Sequence, residues 1–254
     1  MKIVVIGGTG LIGSKVVEKL RQKGHEAIAA APNTGVNTIT GDGLAQALVG
    51  AEVVVDVANS PSFEDQAAMN FFQTAGKNIT AAEISAGVKH HVALSVVGTD
   101  RLQDSGYFRA KLAQERIIMA SPIPFTLIHA TQFFEFLRAI VQFSIVENTV
   151  RVPPVLFQPM AAEDVASAIA EVAFDTPVNR TIEIAGPDTF TLDEPVRKIL
   201  EYDRDDRKVI VDPNAPYFGV QVSKDTLVPS AGARLGSTTF DWWLTHVPPP
   251  ARKA

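Results

Sequence analysis

Three glycines near the start of the chain have the spacing of a phosphate-binding loop. Gly7, Gly10 and Gly13 form the pattern G-x-x-G-x-x-G between an apolar run and a segment with helical periodicity. Glycine permits a tight turn and lets the backbone approach a pyrophosphate, while the following helix offers free N–H groups and the positive end of its dipole. The alternative is a glycine turn that only packs strand on helix, but the strand–loop–helix context favours a dinucleotide site. The predicted cofactor contacts in the loop are Gly7, Thr9, Gly10, Leu11, Ile12 and Gly13.

A serine, a tyrosine and a lysine further along the chain have the types and spacing needed for acid–base chemistry. Tyr107 and Lys111 are four residues apart at the start of a predicted helix, and Ser95 ends the preceding buried strand. A phenol titrates near ~10, and a neighbouring ammonium and the helix N-terminus are expected to lower that value. Tyr107 would then give a proton to a carbonyl oxygen while hydride reaches the carbon. Ser95 would orient that oxygen, and Lys111 would tune the phenol and hold the nicotinamide ribose.

The end of the second strand bears on the choice between NADP and NAD. An acidic residue about 20 positions after the glycines binds the ribose 2′-hydroxyl in NAD proteins. This chain has Asn33 and Thr34 there instead, with no carboxylate to repel a 2′-phosphate. The loop has no Arg or Lys, and Lys15 is the nearest cation in sequence. The sequence favours NADP, with Asn33 and Thr34 as contacts, while Asp42 either caps a helix or lies beside the adenine.

The elements that must position these residues follow from hydrophobic periodicity. β-branched and apolar runs predict strands, and apolar residues at helical spacing predict helices between them. The predicted strands are 2–6, 25–31, 36–40, 52–58, 90–98 and 125–130. The predicted helices are 11–23, 45–50, 64–86 and 106–120. Alternation of this kind is typical of a parallel sheet with helices on both faces.

The pattern changes after about residue 150. Three prolines divide 150–160 into loop or edge pieces, a helix covers 161–174 and a strand covers 181–186. Thr191 and Glu194 have the spacing of a capping box and predict one more helix, and the tail 247–254 is expected to be loose. We therefore predict a dinucleotide-binding domain at 1–150 and a small substrate lobe at 151–254, interwoven as one structural unit.

Composition excludes several classes of protein. The chain of 254 residues has no cysteine, so disulfides, cysteine-based metal sites and a thiol nucleophile are excluded. Its net charge of −5 argues against nucleic acid binding, and no apolar run is long enough for a membrane helix. We interpret the N-terminal run as structure and not as a targeting signal, and expect a cytoplasmic protein. No cluster of ligands predicts a metal.

Several segments resemble the short-chain dehydrogenase/reductase superfamily, most closely its extended or atypical branch, which includes NmrA-like proteins and relatives of NAD(P)-binding sugar epimerases. The segments are GGTGLIGS (7–14), VAN (57–59), the Ser95, Tyr107 and Lys111 set, EDVASAIAEVA (163–173) and TIEIAGPDTFTLDE (181–194). The resemblance implies a Rossmann sheet with a C-terminal substrate lobe. It also implies that Tyr107 is the catalytic acid–base, that Lys111 and Ser95 assist it, and that Ala58 and Asn59 line the cofactor.

Weaker candidates lie near the ends of two strands. His129 precedes a stretch that resembles the substrate and nicotinamide loop of the superfamily, although a packed histidine is the simpler interpretation. Phe133 and Phe134 are either core residues or an aromatic wall over the nicotinamide. His90 and His91 are expected to cap a strand or face solvent.

The sequence thus predicts an α/β protein with a Rossmann-type doubly wound parallel sheet and a small C-terminal α+β lobe. The favoured function is an NADP-dependent oxidoreductase that transfers hydride to a small carbonyl or quinone-like substrate. The alternatives are a non-catalytic NADP(H)-binding redox sensor of NmrA type, which has no use for a tuned phenol, and a nucleotide-sugar epimerase or dehydratase. The expected partner is a small-molecule substrate, and a homodimer is compatible with the sequence.

Overall fold

The computed structural model describes residues 1–247, so the predicted loose tail lies, apart from its first residue, outside the described residues. The strands are β1 Lys2–Ile6, β2 Glu26–Ala30, β3 Val53–Asp56, β4 His90–Val96, β5 Phe125–Ala130, β6 Ile145–Val146, β7 Thr149–Val152, β8 Leu156–Phe157, β9 Arg180–Ala185, β10 Phe190–Thr191, β11 Lys208–Val211 and β12 Arg234–Leu235. The α-helices are α1 Leu11–Gln22, α2 Leu44–Leu48, α3 Asp65–Ala86, α4 Gly106–Ala120, α5 Leu137–Phe143, α6 Ala162–Val172, α7 Asp193–Asp203 and α8 Phe240–His246.

The chain divides into two compact units, the first of which contains residues 1–130 and 165–184. Six strands of this unit pair in the order β2-β1-β3-β4-β5-β9, and every pair is parallel. The chain runs from β1 to β2 on one side and returns to β3 on the other, so the order in which strands are added reverses beside β1, which creates a switch point there. In open α/β sheets, ligands bind at such a switch, outside the carboxyl ends of the strands. The predicted Rossmann-type sheet is confirmed.

The core of the first unit explains why its strands read as continuous apolar runs. Residues 3–6 of β1 and 53–56 of β3 are buried on both sides, as expected for central parallel strands. Helices α2 and α3 pack apolar residues against this sheet, including Leu48 and Ile79, which have no exposed surface. The sheet therefore forms a rigid platform for the loops at its carboxyl end.

Two predicted strands differ from the structure. Residues 36–40 form turns, because the Asn37 side-chain oxygen accepts hydrogen bonds from the Ile39 and Thr40 N–H groups and Gly41 takes a left-handed conformation. The strand predicted at 181–186 exists as β9, but it lies beside β5 in the parallel sheet and not in the small lobe. Hydrophobic periodicity identifies a strand but carries no information about its neighbours.

Of the described residues, the second unit contains 131–164 and 185–247. It has a three-stranded sheet in the order β11-β7-β6 and a two-stranded pair of β10 and β8. The predicted capping box is present in part, since the Thr191 N–H donates to the Glu194 carboxylate before α7 begins. The chain crosses between the two units after residues 130, 164 and 184. The division into interwoven parts at 1–150 and 151–254 stays a prediction.

Candidate functional site

The glycine loop lies at the carboxyl end of β1, as predicted. Gly7 takes a left-handed conformation with φ of +77°, and its N–H donates to Ala30 O at 2.8 Å, at the end of β2. The Gly10 N–H then donates back to Gly7 O at 2.9 Å, which closes a turn directly before α1. The loop is therefore fixed by its own backbone between β1 and the helix.

Different structural constraints act on the individual glycines of the loop. A Cβ at Gly13 would lie 2.1 Å from Gly7 O, and one at Gly8 would lie 2.7 Å from Val5 O, so both positions are required for packing. A Cβ at Gly10 would meet only Gly7 O, at 3.3 Å, and Gly10 has an ordinary negative φ of −80°. The fold alone does not require glycine at position 10, whereas close approach of a ligand to the backbone does.

The first turn of α1 has the properties of an anion site. Gly10 is the N-cap, no side chain caps the helix, and its first turn contains no acidic residue. The helix is twelve residues long, so its dipole and free N–H groups are available to phosphate oxygens. The loop and this helix end thus fit a dinucleotide pyrophosphate.

The segment after β2 adjoins the glycine loop through one contact. Thr9 Oγ1 donates to Asn33 Oδ1 at 3.0 Å, and both residues are exposed. The Thr34 hydroxyl is bound within its own turn, to Ala29 O and Ala31 O at 2.9 Å each. Asn33 is consequently better placed than Thr34 to contact an adenosine ribose.

Asp42 does not cap a helix. Its carboxylate accepts a hydrogen bond from Thr40 Oγ1 at 2.6 Å, and Gly43 is the N-cap of α2. The capping alternative is therefore wrong, and the position beside the adenine stays a prediction.

Tyr107 is connected to the glycine loop through the segment that follows β3. A Cβ at Gly7 would lie 2.9 Å from the Ala58 Cα atom, so Ala58 packs directly on the loop. The next residue, Asn59, accepts two hydrogen bonds at Oδ1, from the Ser60 N–H at 3.0 Å and from the Tyr107 hydroxyl at 3.1 Å. The Tyr107 hydroxyl therefore lies next to the segment that packs on the glycine loop, residues 7–13.

The environment of Tyr107 is aromatic, and its phenol is less acidic than expected. Its ring contacts Phe63, Phe72 and Phe108 with centroids 5.3, 6.0 and 5.6 Å apart. Burial raises the pKa of Tyr107 to about 12. The predicted lowering of this pKa by Lys111 is wrong, because burial penalises the phenolate and the ammonium is directed elsewhere.

Lys111 is buried and uses its N–H groups inside the protein. Its Nζ donates to Leu94 O at 2.9 Å and to Gln114 Oε1 at 2.5 Å, and it lies 4.7 Å from the centroid of the Phe72 ring. Gln114 in turn donates to the buried Asp56 carboxylate at 2.8 Å. Burial lowers the pKa of Lys111 to about 8, although the nearby carboxylates of Asp56 and Glu115 act in the opposite direction. Two of the three Nζ N–H donors are used in these contacts, and Lys111 is only 3% exposed, so a hydrogen bond to a ribose would need the third donor to be uncovered.

Ser95 is also bound internally. Its hydroxyl donates to Glu115 Oε1 and lies 3.4 Å from Thr99 Oγ1. Glu115 also lies 2.9 Å from His129 Nε2, so a buried carboxylate joins Ser95 to His129. Burial raises the pKa of Glu115, but the hydrogen bonds and charge of His129, together with Ser95 and Lys111, bring it below its usual value. Because the acid stands between the other two, this is not the order of a hydrolase triad, in which histidine is central.

The two histidines that begin β4 are buried, contrary to expectation. His90 Nε2 lies 2.9 Å from Thr126 Oγ1, and burial lowers the pKa of His90 to about 4. His91 Nδ1 lies 2.6 Å from Glu83 Oε1. Burial lowers the pKa of His91, but the charge and hydrogen bond of Glu83 raise it above its usual value. Since β4 is a central strand, neither ring can reach solvent.

Phe133 and Phe134 belong to the second unit. The Phe134 ring is 1% exposed and packs against Phe240 and Trp243, with centroids 5.3 and 5.4 Å away, so it is a core residue. Phe133 is half-buried and contacts Phe136. The role of Phe133 toward a substrate stays a prediction.

The buried polar residues around Lys111 were not predicted from the sequence. Gln114 and Glu115 follow Lys111 by three and four positions and therefore share its helix face, which is a signal that spacing alone carries. Asp56 is a second such signal, because a carboxylate at the end of an apolar, buried strand is uncommon. Within residues 1–247, no group of three acidic or histidine side chains is arranged to hold a metal ion, and no helix has the length and apolar character of a membrane span.

The fold and this loop define a dinucleotide-binding α/β protein, and comparison with known proteins gives its family. The model of a family described as NAD(P)H-binding matches residues 7–176, about two thirds of the chain. The chain belongs to this NAD(P)H-binding family, and the predicted likeness to the extended short-chain dehydrogenase/reductase superfamily is supported at the level of the fold. The NmrA-like branch stays a prediction. No curated protein matches the sequence.

Solved structures with the same fold share little sequence with this chain. MoeE5 in complex with UDP-glucose and NAD is 17% identical, with 96% of each chain covered and a TM-score of 0.73. A short-chain dehydrogenase/reductase superfamily protein from Agrobacterium tumefaciens with bound NAD is 15% identical, with 96% of this chain and 95% of that chain covered and a TM-score of 0.71. A dTDP-4-dehydrorhamnose reductase from Clostridium acetobutylicum is 16% identical, with 97% and 98% covered and a TM-score of 0.70. These similarities establish the fold.

Proposed function

We propose that this chain binds NADP(H) and reduces a small neutral carbonyl compound, with Tyr107 as the proton donor. One observation carries the proposal: the Tyr107 hydroxyl contacts Asn59, in the segment that packs on Gly7 of the glycine loop. Membership of an NAD(P)H-binding family supports the cofactor class. The reductase and the NAD-bound proteins of the same fold are compatible with this assignment.

The choice of NADP(H) rests on the end of β2. Asn33 is the residue that adjoins the glycine loop there, through Thr9, and it carries no charge. A carboxylate at this position would accept a hydrogen bond from a ribose 2′-hydroxyl and repel a 2′-phosphate. A neutral carboxamide can donate to the phosphate, so it supports NADP(H) over NAD(H).

The raised pKa of Tyr107 suits a proton donor in carbonyl reduction. A phenol with a pKa of about 12 is protonated at neutral pH and acts as a donor. When the nicotinamide is bound, it supplies hydride to the carbonyl carbon. The oxygen then becomes an alkoxide, which is a much stronger base than a phenolate, so proton transfer from Tyr107 is downhill. Solvent returns the proton to the phenolate.

The same reasoning favours carbonyl compounds over quinone-like acceptors. Hydride addition to a quinone produces a hydroquinone anion, whose basicity is similar to that of an ordinary phenolate. Tyr107, with its raised pKa, has no driving force to protonate such an anion. Epimerases of sugar nucleotides need a tyrosinate that removes a proton, and the raised pKa disfavours that form as well.

A second candidate is a redox sensor that binds NADP(H) without turnover. Two observations favour it. The Ser95 hydroxyl donates a hydrogen bond to Glu115, and Lys111 donates hydrogen bonds to Leu94 O and Gln114. Neither residue then assists Tyr107 in the way that the superfamily resemblance implies. The two candidates share the cofactor site and differ only in whether a substrate is reduced.

Consumption of NADPH against a panel of neutral aldehydes and ketones tests the proposal. We expect NADPH oxidation that matches alcohol formation one to one, and loss of both when Gly10 is replaced by valine. Tight NADPH binding without oxidation of the cofactor by any member of the panel would favour the sensor and contradict the enzyme.

A further inference from the structure

We infer that the carbonyl substrate is an aromatic aldehyde or ketone and that Phe63 selects it by ring stacking. This inference rests on the proposed function, since it takes Tyr107 as the group that meets the carbonyl oxygen. It goes further by naming the chemical class of the substrate and the residue that distinguishes it.

The argument begins with an exposed ring beside the proton donor. Phe63 is 62% exposed, yet its ring lies 5.3 Å from that of Tyr107 at an interplanar angle of 49°. The other rings around Tyr107 are accounted for by packing, since Phe72 is 1% and Phe108 is 8% exposed. Phe63 is not accounted for in this way, because most of its surface faces solvent and contributes little to folding.

The segment that carries Phe63 is held by side-chain hydrogen bonds. Ser60 Oγ donates to Ser62 O at 2.7 Å and accepts from the Ser62 N–H at 3.3 Å. The Glu64 N–H then donates to Ser62 Oγ at 3.2 Å, immediately before α3. These turns fix the backbone on both sides of the ring, so the exposed ring is presented by a defined local structure.

The same segment contacts both the hydroxyl and the ring of Tyr107. Asn59 Oδ1 accepts the proton of the hydroxyl, while Phe63 contacts the ring four residues later. A molecule that takes the hydroxyl proton must place an oxygen where Asn59 now accepts it. Its remaining atoms then lie near the solvent-facing surface of Phe63, where a flat apolar group gains most from an offset or edge-to-face contact.

Two cations on the helix of Tyr107 already hold internal contacts, which argues against an anionic substrate. Arg109 donates to Asp65 at 2.7 Å and to Gln103 O and Asp104 O at 2.8 and 3.0 Å. Lys111 is buried among Leu94 O, Gln114 and Phe72, as described above. A phosphate or carboxylate on the substrate would compete with the Asp65 carboxylate for Arg109, and Lys111, only 3% exposed, is closed to it. A neutral aromatic carbonyl compound carries no charge and offers a flat apolar group to Phe63, so it meets both requirements.

Benzaldehyde and cyclohexanecarbaldehyde form a matched pair for the test. Both are neutral six-membered-ring aldehydes of similar size, but only benzaldehyde has a flat π-system. The measured quantity is the ratio of kcat/KM for the two aldehydes in each protein, divided by the same ratio in the wild type. This quotient cancels their different intrinsic reactivity.

We expect Phe63→Leu to lower the ratio of benzaldehyde to cyclohexanecarbaldehyde about fivefold, or about 1 kcal/mol at the usual conversion. The loss should appear in KM and leave the dissociation constant of NADPH unchanged. Phe63→Trp, which keeps an aromatic face, should retain most of the preference. The matched control is Phe174→Leu, since Phe174 stacks on His25 with centroids 4.4 Å apart and is not among the rings that contact Tyr107.

The outcomes separate this inference from the proposed function. Reduction of both aldehydes with a ratio that Phe63→Leu does not change would overturn the role of Phe63 and leave the reductase standing. An absence of NADPH oxidation by the wild type with either aldehyde and with the wider carbonyl panel would overturn both.

Discussion

At the scale of single residues, residue types and spacing predicted where the candidate reactive side chains lie but not which residues they hydrogen-bond to. Ser95, Tyr107 and Lys111 lie where a doubly wound sheet predicts them, at the end of β4 and on the first turns of α4. The contact of Lys111 with Gln114 lies within one helix, and its spacing was overlooked. The hydrogen bonds of Ser95 and Tyr107 could not be predicted, because Glu115 and Asn59 meet them only after α4 packs on β4 and on the segment after β3. The direction of the Tyr107 pKa shift was missed for the same reason, since burial is a property of the folded chain.

Asn33→Asp should move cofactor preference toward NADH. The carboxylate can keep the hydrogen bond from Thr9 while adding a charge that repels a 2′-phosphate. We expect the ratio of NADPH to NADH affinity to fall at least tenfold, or about 1.4 kcal/mol, in fluorescence or calorimetric titrations. Asn179→Asp is the matched control, because Asn179 also accepts a hydrogen bond, from the Phe125 N–H, at the opposite end of the strands. Equal shifts in both variants would show that Asn33 does not contact the ribose.

At the scale of elements, locally determined features were predicted best. Helix α4 was predicted at its observed bounds and α3 within one residue, because apolar periodicity and helix ends depend on residues that are close in sequence. The position of β9 beside β5 was not predictable from periodicity, since a parallel neighbour is a non-local contact. The false strand at 36–40 shows that a side-chain turn at Asn37 can override a β-branched run.

Gly10→Val tests the junction between β1 and α1. Its φ of −80° suits any residue and its Cβ would meet a single atom, Gly7 O at 3.3 Å, so the variant should fold after a small local shift, while the added methyl groups would occupy the approach to the helix N-terminus. We expect NADPH affinity to fall at least tenfold, about 1.4 kcal/mol, with Gly10→Ala intermediate. Gly13→Ala should instead destabilise the fold, because its Cβ would lie 2.1 Å from Gly7 O. A folded Gly10→Val variant with unchanged NADPH affinity would show that the cofactor lies elsewhere.

At the scale of the whole molecule, an unusual number of charged groups is buried in the first unit. Asp56, Glu83, His91, Lys111 and Glu115 are each at most 5% exposed. Buried charges are tolerated only when they are paired, and here they join β3, β4, α3 and α4 through hydrogen bonds. Folding shifts the pKa values of several buried groups in this unit, so its free energy of unfolding depends on pH.

His90 gives that dependence a definite sign. Its pKa is about 4 in the folded chain against 6.5 unfolded, so its contribution is complete above about pH 6.5 and is lost as the pH falls toward 4. The full effect of this one group is about 3 kcal/mol. Urea unfolding at pH 7, 5.5 and 4.5 should show a smaller acid loss of stability in His90→Gln, which cannot titrate. Parallel pH profiles for wild type and variant would contradict the assignment of His90. His91, whose pKa is raised, contributes with the opposite sign and loses its effect as the pH rises.

The proton donor is the central claim, and Tyr107→Phe tests it most directly. The substitution keeps the ring contacts with Phe63 and Phe72 and removes only the hydroxyl that meets Asn59. The measurement is the rate of NADPH oxidation with saturating benzaldehyde, together with the dissociation constant of NADPH. Our account predicts that kcat falls by ~10²–10⁴, the usual effect of losing a positioned acid, while the NADPH dissociation constant stays within about twofold, equivalent to ~0.4 kcal/mol. A Phe variant that reduces the aldehyde at a near-normal rate would contradict it and remove Tyr107 from the reaction.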